Sequence, residues 1–174
     1  MGMDSVEIVM GWEQSFGISI PDAEAEFLRT PRQSIDLIAT KLEAQDEPGR
    51  ACLTLRAFHR LRRSITGVTY VRREQVRARA LLRELVRTGS RRSWKAIRFA
   101  CGIASLPGPG WFFPRTVGDL VRWTVAYAAK DLKRPGEPWT RSEIRTVVRA
   151  VVTEVVGSEE FEDDDDFVHD IGIG

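Results

Sequence analysis

The sequence predicts an all-α protein made of two small helical bundles. Three observations point there: apolar residues recur three and four apart along most of the chain, no stretch alternates convincingly with period two, and several apolar runs open on a capping signature. Those signatures are Asp4 with Glu7, Thr30 with Gln33 and Thr140 with Glu143. The 174 residues, 43% of them apolar, suffice for one ordinary domain or two small ones.

Taken in order, residues 4–16 form a helix with Val6, Val9, Met10 and Phe16 near one face, and Gly17 stops it. A short acidic helix, DAEAEFL, follows Pro21, whose missing N–H costs nothing in a first turn. TPRQSIDLIATKL is the third helix, capped by Thr30, with Ile35, Ile38 and Leu42 at core spacing. DEPGR, residues 46–50, reads as a linker. Beyond it come a basic amphipathic helix in CLTLRAFHRLRRSI, a second in VRREQVRARALLRELV on Val76, Leu81, Leu82 and Leu85, and a third in SRRSWKAIRFACGI with Trp94 and Phe99 spaced like core residues. SLPGPGWFFPR is a loop in which Trp111, Phe112 and Phe113 are expected to pack inward, membrane contact being the alternative. TVGDLVRWTVAYAAKDL is a helix with Thr116 as N-cap and Asp119 in its first turn. The linker KRPGEP then leads to WTRSEIRTVVRAVVTEVVG, where Ile144, Val147, Val148, Val151 and Val155 line one face.

A net charge of +1 conceals a strong asymmetry. Residues 50–98 hold fifteen Lys and Arg against Glu74 and Glu84, whereas the tail carries SEEFEDDDD. Such adjacent fields suit two domains that attract each other or two faces meant for different partners. Aromatic residues are too sparse among the arginines for base stacking, which argues against nucleic acid. The run Glu162 to Asp166 lacks the alternation and central Gly of a calcium loop and reads as a solvated acidic loop. Cys52 and Cys101 read as structural, reduced thiols, and neither His59 nor His169 has companions at ligand spacing. No nucleophile–base pair or metal set is present, so the expectation is a protein that is not an enzyme. No secretory segment and no membrane-length apolar run is visible, which implies a cytoplasmic protein.

Segments recur. TPRQSIDLIATKL matches TVGDLVRWTVAYA in cap, length and register, REQVRARALLREL echoes SEEFEDDDDFVHDI, and SWKAIRFACGI echoes SVEIVMGWEQSFGI. The middle of the chain thus holds a complete unit, while the N-terminal part lacks that unit's first helix and the C-terminal part holds it. Joined tail to head, the outer segments give a helix and a long loop closing on Phe167 to Gly172, a helix with Val6 to Phe16, then Ile18 to Asp22, and a last helix with Thr30 to Ile38. In that order they resemble the acyl carrier protein family over essentially the whole of such a domain. The resemblance implies residues 1–46 plus 138–174 as a circularly permuted acyl-carrier-like domain, with a basic, degenerate carrier-like helical domain over 51–133 inserted into it.

Carrier proteins hold a 4'-phosphopantetheine arm on a serine at the start of their second helix, where free N–H groups and the helix dipole favour a phosphodiester. Along the family pattern that position falls on Gly2, and the Asp4–Ser5 pair lies about one helical turn closer to Phe16. Ser5 with Asp4 is therefore the candidate attachment site, or a polar cap of the helix. The partners implied by resemblance are acyl- or peptidyl-processing enzymes and a phosphopantetheinyl transferase, met through Glu7, Glu13, Asp22, Glu24 and Glu26. The basic middle unit is a candidate to dock on such an acidic face, in its own chain or in another copy. Two function classes stay open: a carrier or carrier-like partner in acyl or peptidyl metabolism, and a non-carrier interaction module that has lost the arm. The permuted halves can close within one molecule or be exchanged in a domain-swapped homodimer. Either way, Ile171 and Ile173 should be buried against the helix that begins near Asp4.

Overall fold

The structure is a computed structural model that describes residues 2–46, 52–86, 91–108 and 114–173. Among them nine α-helices form: α1 (Met3–Phe16), α2 (Asp22–Ala25), α3 (Pro31–Lys41), α4 (Leu53–Thr69), α5 (Leu82–Leu85), α6 (Arg91–Cys101), α7 (Val117–Tyr127), α8 (Ala129–Leu132) and α9 (Arg141–Val156), with a 3₁₀ turn at Arg73–Gln75. No strand is present among the described residues, and extended pairing is limited to two isolated bridges, Gln45 with Thr140 and Leu81 with Thr116. The fold is all-α, as the helical periodicity requires.

The chain divides into two compact units, Met1–Arg50 with Lys133–Gly174, and Ala51–Leu132. In the first, α9 packs on both α1 and α3. Its Ile144, Val147, Val148, Val151 and Val152 are buried, and so are Ile8, Trp12 and Phe16 of α1 and Ile35 and Ile38 of α3. The Trp12 indole donates to the carbonyl of Val148 at 3.4 Å, and Phe16 meets Trp139 edge-on at 5.0 Å. In the second unit α4 packs on α6, α7 and α8. Leu53, Ala57, Leu61 and Ile65 of α4 are buried, with Trp94 and Ile97 of α6 and Leu120 and Val121 of α7.

Helix boundaries follow local chemistry at most ends. Thr30, Thr116 and Thr140 each accept a hydrogen bond from the backbone N–H three residues on, and the carboxylates of Asp119 and Glu143 accept one from the N–H of their cap residue, completing two reciprocal boxes. Gln33 reaches one residue further back than the sequence suggested, accepting from Arg29 N–H at 2.7 Å. Gly17 and Gly157 end α1 and α9 in the left-handed conformation, at φ of 70° and 78°.

Both units also close their long loops in the same way. In the first, Phe167 N–H donates to Arg29 O and Arg32 N–H donates to Asp163 O, both at 2.8 Å. In the second, Leu82 N–H donates to Arg115 O at 2.9 Å and Gly118 N–H donates to Ala78 O at 2.7 Å. Each loop therefore straddles the N-terminus of a Thr-capped helix of eleven residues, α3 or α7. This pairing decides one difference from the sequence reading. Residues 72–86 are not one helix: only the 3₁₀ turn and α5 form, because the backbone of 78–82 is committed to residues 115–118 and the RARA segment has no apolar anchor to hold a helix against that pull. At Gly118 an added Cβ would sit 3.1 Å from Ala78 O, so the absence of a side chain permits the close approach.

Other expectations change. Helix α1 begins at Met3 with Gly2 as its N-cap, so Asp4 lies inside the first turn and makes no capping box. The helix expected through Leu132 breaks at Ala128 into α7 and α8. Cys101 is buried, but Cys52 is exposed at the entry to α4. Phe99 is 90% exposed, because the buried stripe of α6 runs through Trp94, Ile97 and Cys101. Most of the linker 46–50 and the residues Trp111, Phe112 and Phe113 fall outside the described residues.

Candidate functional site

The first unit contains a cleft of about 330 Å³ beside the start of α1. Its apolar interior comes from both ends of the chain. Ile8, Val9 and Trp12 line one side, Ala25 and Leu28 the second, and Phe167 and Ile173 the third. Trp12 and Phe167 approach to 6.1 Å between ring centroids. The mouth is polar, with Gly2 and Ser5 from α1, Glu26 and Arg29 from the segment after α2, and Asp166 from the acidic loop. A space of this size with an apolar interior and a few polar groups at its rim suits an aliphatic or small amphipathic group.

Local sequence explains the construction. Ile8 and Trp12 are four apart on one face of α1, which directs both inward. Phe167 is fixed by its N–H bond to Arg29 O, and Ile173 by its N–H bond to Phe167 O at 2.7 Å. The Asp166 carboxylate accepts from the N–H groups of Val168 and His169 at 2.9 and 3.0 Å, which holds it below the usual carboxylate range. Of the two isoleucines expected to be buried near α1, Ile173 is 2% exposed and lines the cleft, and Ile171 is only half-buried.

The acidic loop is less solvated than its composition suggests. Asp163 is buried and takes hydrogen bonds from Arg145 Nε and, at 2.9 Å, from Arg149 Nη1. Burial pushes its carboxyl up, and the two guanidinium groups more than reverse that, leaving it below the ordinary range. Asp164 pairs with Arg32, and Asp165 accepts from the N–H of Glu162 at 2.7 Å. Arg145 and Arg149 stand four apart on α9, and that spacing was the available sequence signal.

Ser5 is half-buried in the first turn of α1 and forms part of the cleft rim, whereas Asp4 is exposed. Gly2, in extended conformation, caps the helix with no side-chain acceptor. Phosphopantetheine attaches to a hydroxyl, and Gly2 has none, so the group does not fit the position that the family pattern selects; the hydroxyl at this end of α1 is that of Ser5, one turn on. Of the acidic residues expected on the docking face, Glu7, Asp22 and Glu26 are exposed. Glu13 and Glu24 are engaged, with Ile20 N–H at 2.7 Å and Lys41 Nζ at 2.7 Å. The residues that motif reasoning missed are Trp12, Leu28 and Arg29, whose roles appear only when the loop is folded over α1.

No helix among the described residues is long and apolar enough to cross a membrane. No protein-family model matches the chain, and no solved structure matches it. One matching curated relative is an acyl carrier protein of Thermosynechococcus vestitus (strain NIES-2133 / IAM M-273 / BP-1), 48% identical over 42 residues. The match takes in 24% of this chain and 52% of that protein, so the chain spans about half the length of the curated relative it matches. Over that part the chain is related to acyl carrier proteins.

Proposed function

We propose that the unit of residues 1–50 and 133–174 is an acyl-carrier-like domain in permuted chain order. The protein then serves as a carrier-like partner of acyl- or peptidyl-processing enzymes, without chemistry of its own and without a tethered arm. The observation that carries this reading is the cleft, in which Phe167 and Ile173 from the end of the chain close over Ile8 and Trp12 near its start. With α9 packed on α1 and α3, it supports reading the segments in the order α9, acidic loop, α1, α2, α3, to match the family's helix, loop, helix, short helix and last helix. The partial match to an acyl carrier protein supports the same reading. The matching loop-to-helix bonds support a second, basic carrier-like unit in residues 51–132.

Bound phosphopantetheine supplies a thiol on which an acyl group rides as a thioester. Gly2 gives it no anchor, so the α1 surface is read as a docking face that imitates a carrier. Exposed Met3, Val6 and Met10 lie there beside Asp4 and Glu7. The test is a promiscuous phosphopantetheinyl transferase supplied with an acyl carrier protein as substrate. This protein should slow that reaction competitively while its own intact mass stays unchanged, and Glu7→Lys should relieve the competition. A second reading, a true carrier, is favoured by the position of Ser5 after Asp4 on the cleft rim. A gain of one phosphopantetheine mass, abolished by Ser5→Ala, would establish it and overturn the armless reading.

A further inference from the structure

The two units carry opposite charge to nearly the same extent. Residues 51–132 contain seventeen Lys and Arg and four Asp and Glu, a net of +13, and the remainder contains nine and twenty-one, a net of −12. One helix of each unit combines its share of that charge with an exposed apolar side chain. Helix α6 exposes Arg92, Lys95, Ala96 and Phe99, three and four apart and so on one face, while Trp94, Ile97 and Cys101 are buried. Helix α1 exposes Met3, Glu7 and Met10 with the same spacing, flanked by Asp4 and Val6.

Phe99 at 90% exposure and Met10 at 61% are large apolar side chains left open on charged helices. Aromatic and methionine side chains in such settings are anchors of protein interfaces, the first rigid and the second adaptable. From this complementarity we infer that the α6 face of one molecule docks on the α1 face of a second copy of the chain. The basic stripe offers a single aromatic, too few for a track of stacked bases, whereas one aromatic among cations matches a ridge of Met and Val among carboxylates. Different faces are used on each partner, so the contact is head-to-tail and propagates or closes into a ring. It rests on exposure and charge alone and holds whether or not the protein carries an arm.

The experiment is sedimentation velocity of the full chain across a concentration series, at about 50 mM and about 0.5 M salt, where screening lengths differ roughly threefold. Concentration-dependent association is expected at low salt and its loss at high salt. Phe99→Ala should weaken it by about tenfold or more with unchanged circular dichroism, because the side chain is solvent-facing. Lys95→Glu and Glu7→Lys should each abolish it, and the double variant, which restores opposite charges, should recover it. A monomer at every concentration in low salt overturns the inference, and so does association indifferent to Phe99→Ala and Lys95→Glu. Binding of a labelled oligonucleotide at about 50 mM salt that displaces self-association and is lost in Phe99→Ala assigns the stripe to nucleic acid instead, and also overturns it.

Discussion

Asp163 shows how single residues hold the first unit together. Its side chain is 10% exposed and shared by two arginines, so truncating either partner leaves a desolvated charge short of donors. Because Arg145 is half exposed, solvent screening limits the effect of its loss, and Arg149→Ala should be the more damaging change, at about 1–3 kcal/mol by chemical denaturation. The folded carboxyl lies below its unfolded value, so its contribution is complete above the ordinary carboxylate pKa of about 3.9 and vanishes as pH falls through the lower folded value. Urea midpoints should therefore drop on acidification below about pH 4, and Asp163→Asn, less stable at neutrality, should show a shallower drop. Trp12 is 1% exposed and fills the space between α9 and the cleft. Trp12→Ala should cost about 3–5 kcal/mol, read from the denaturation midpoint.

At the scale of elements, caps and apolar periodicity governed what could be read in advance. Thr116 and Thr140 signal their helices because a hydroxyl and a carboxylate three residues on satisfy backbone donors without tertiary help. Thr140→Ala should accordingly destabilise α9 by about 1 kcal/mol, measurable as a lowered thermal midpoint. The segment after Tyr70 was misread for the converse reason: its conformation is fixed by partners at Arg115 and Gly118, far along the chain. Phe99 was assigned to the core from spacing alone, yet Trp94 and Ile97 fix which face of α6 is inward, and Phe99 falls on the other. In the cleft, Phe167 and Ile173 were legible because their motif places them near α1, and Gly2 because the pattern could be counted. Arg29 was not legible, since its place at the mouth comes from a loop folding over it.

For the whole molecule, near-neutrality is a balance of two strongly charged units. At neutral pH a protein of net charge +1 with mixed charges would pass weakly retained through either ion exchanger. Segregation into −12 and +13 should make this one bind both cation and anion exchangers at low salt, a simple chromatographic check. The loop-to-helix bonds differ in one respect between the units. In the second they join Leu82 to Arg115, and in the first Phe167 to Arg29, pairs 33 and 138 residues apart. Loop entropy grows slowly with length, adding about 1 kcal/mol to the longer closure in the first unit, but folding speed falls with such separation. Residues 51–132 should thus organise early while a ribosome is still extending the chain, and α1 must wait until Phe167 has emerged. Refolding followed by fluorescence should show a fast phase whose amplitude falls on replacing Trp94 and a slow one whose amplitude falls on replacing Trp12, giving the fold a temporal order that runs from the middle outward.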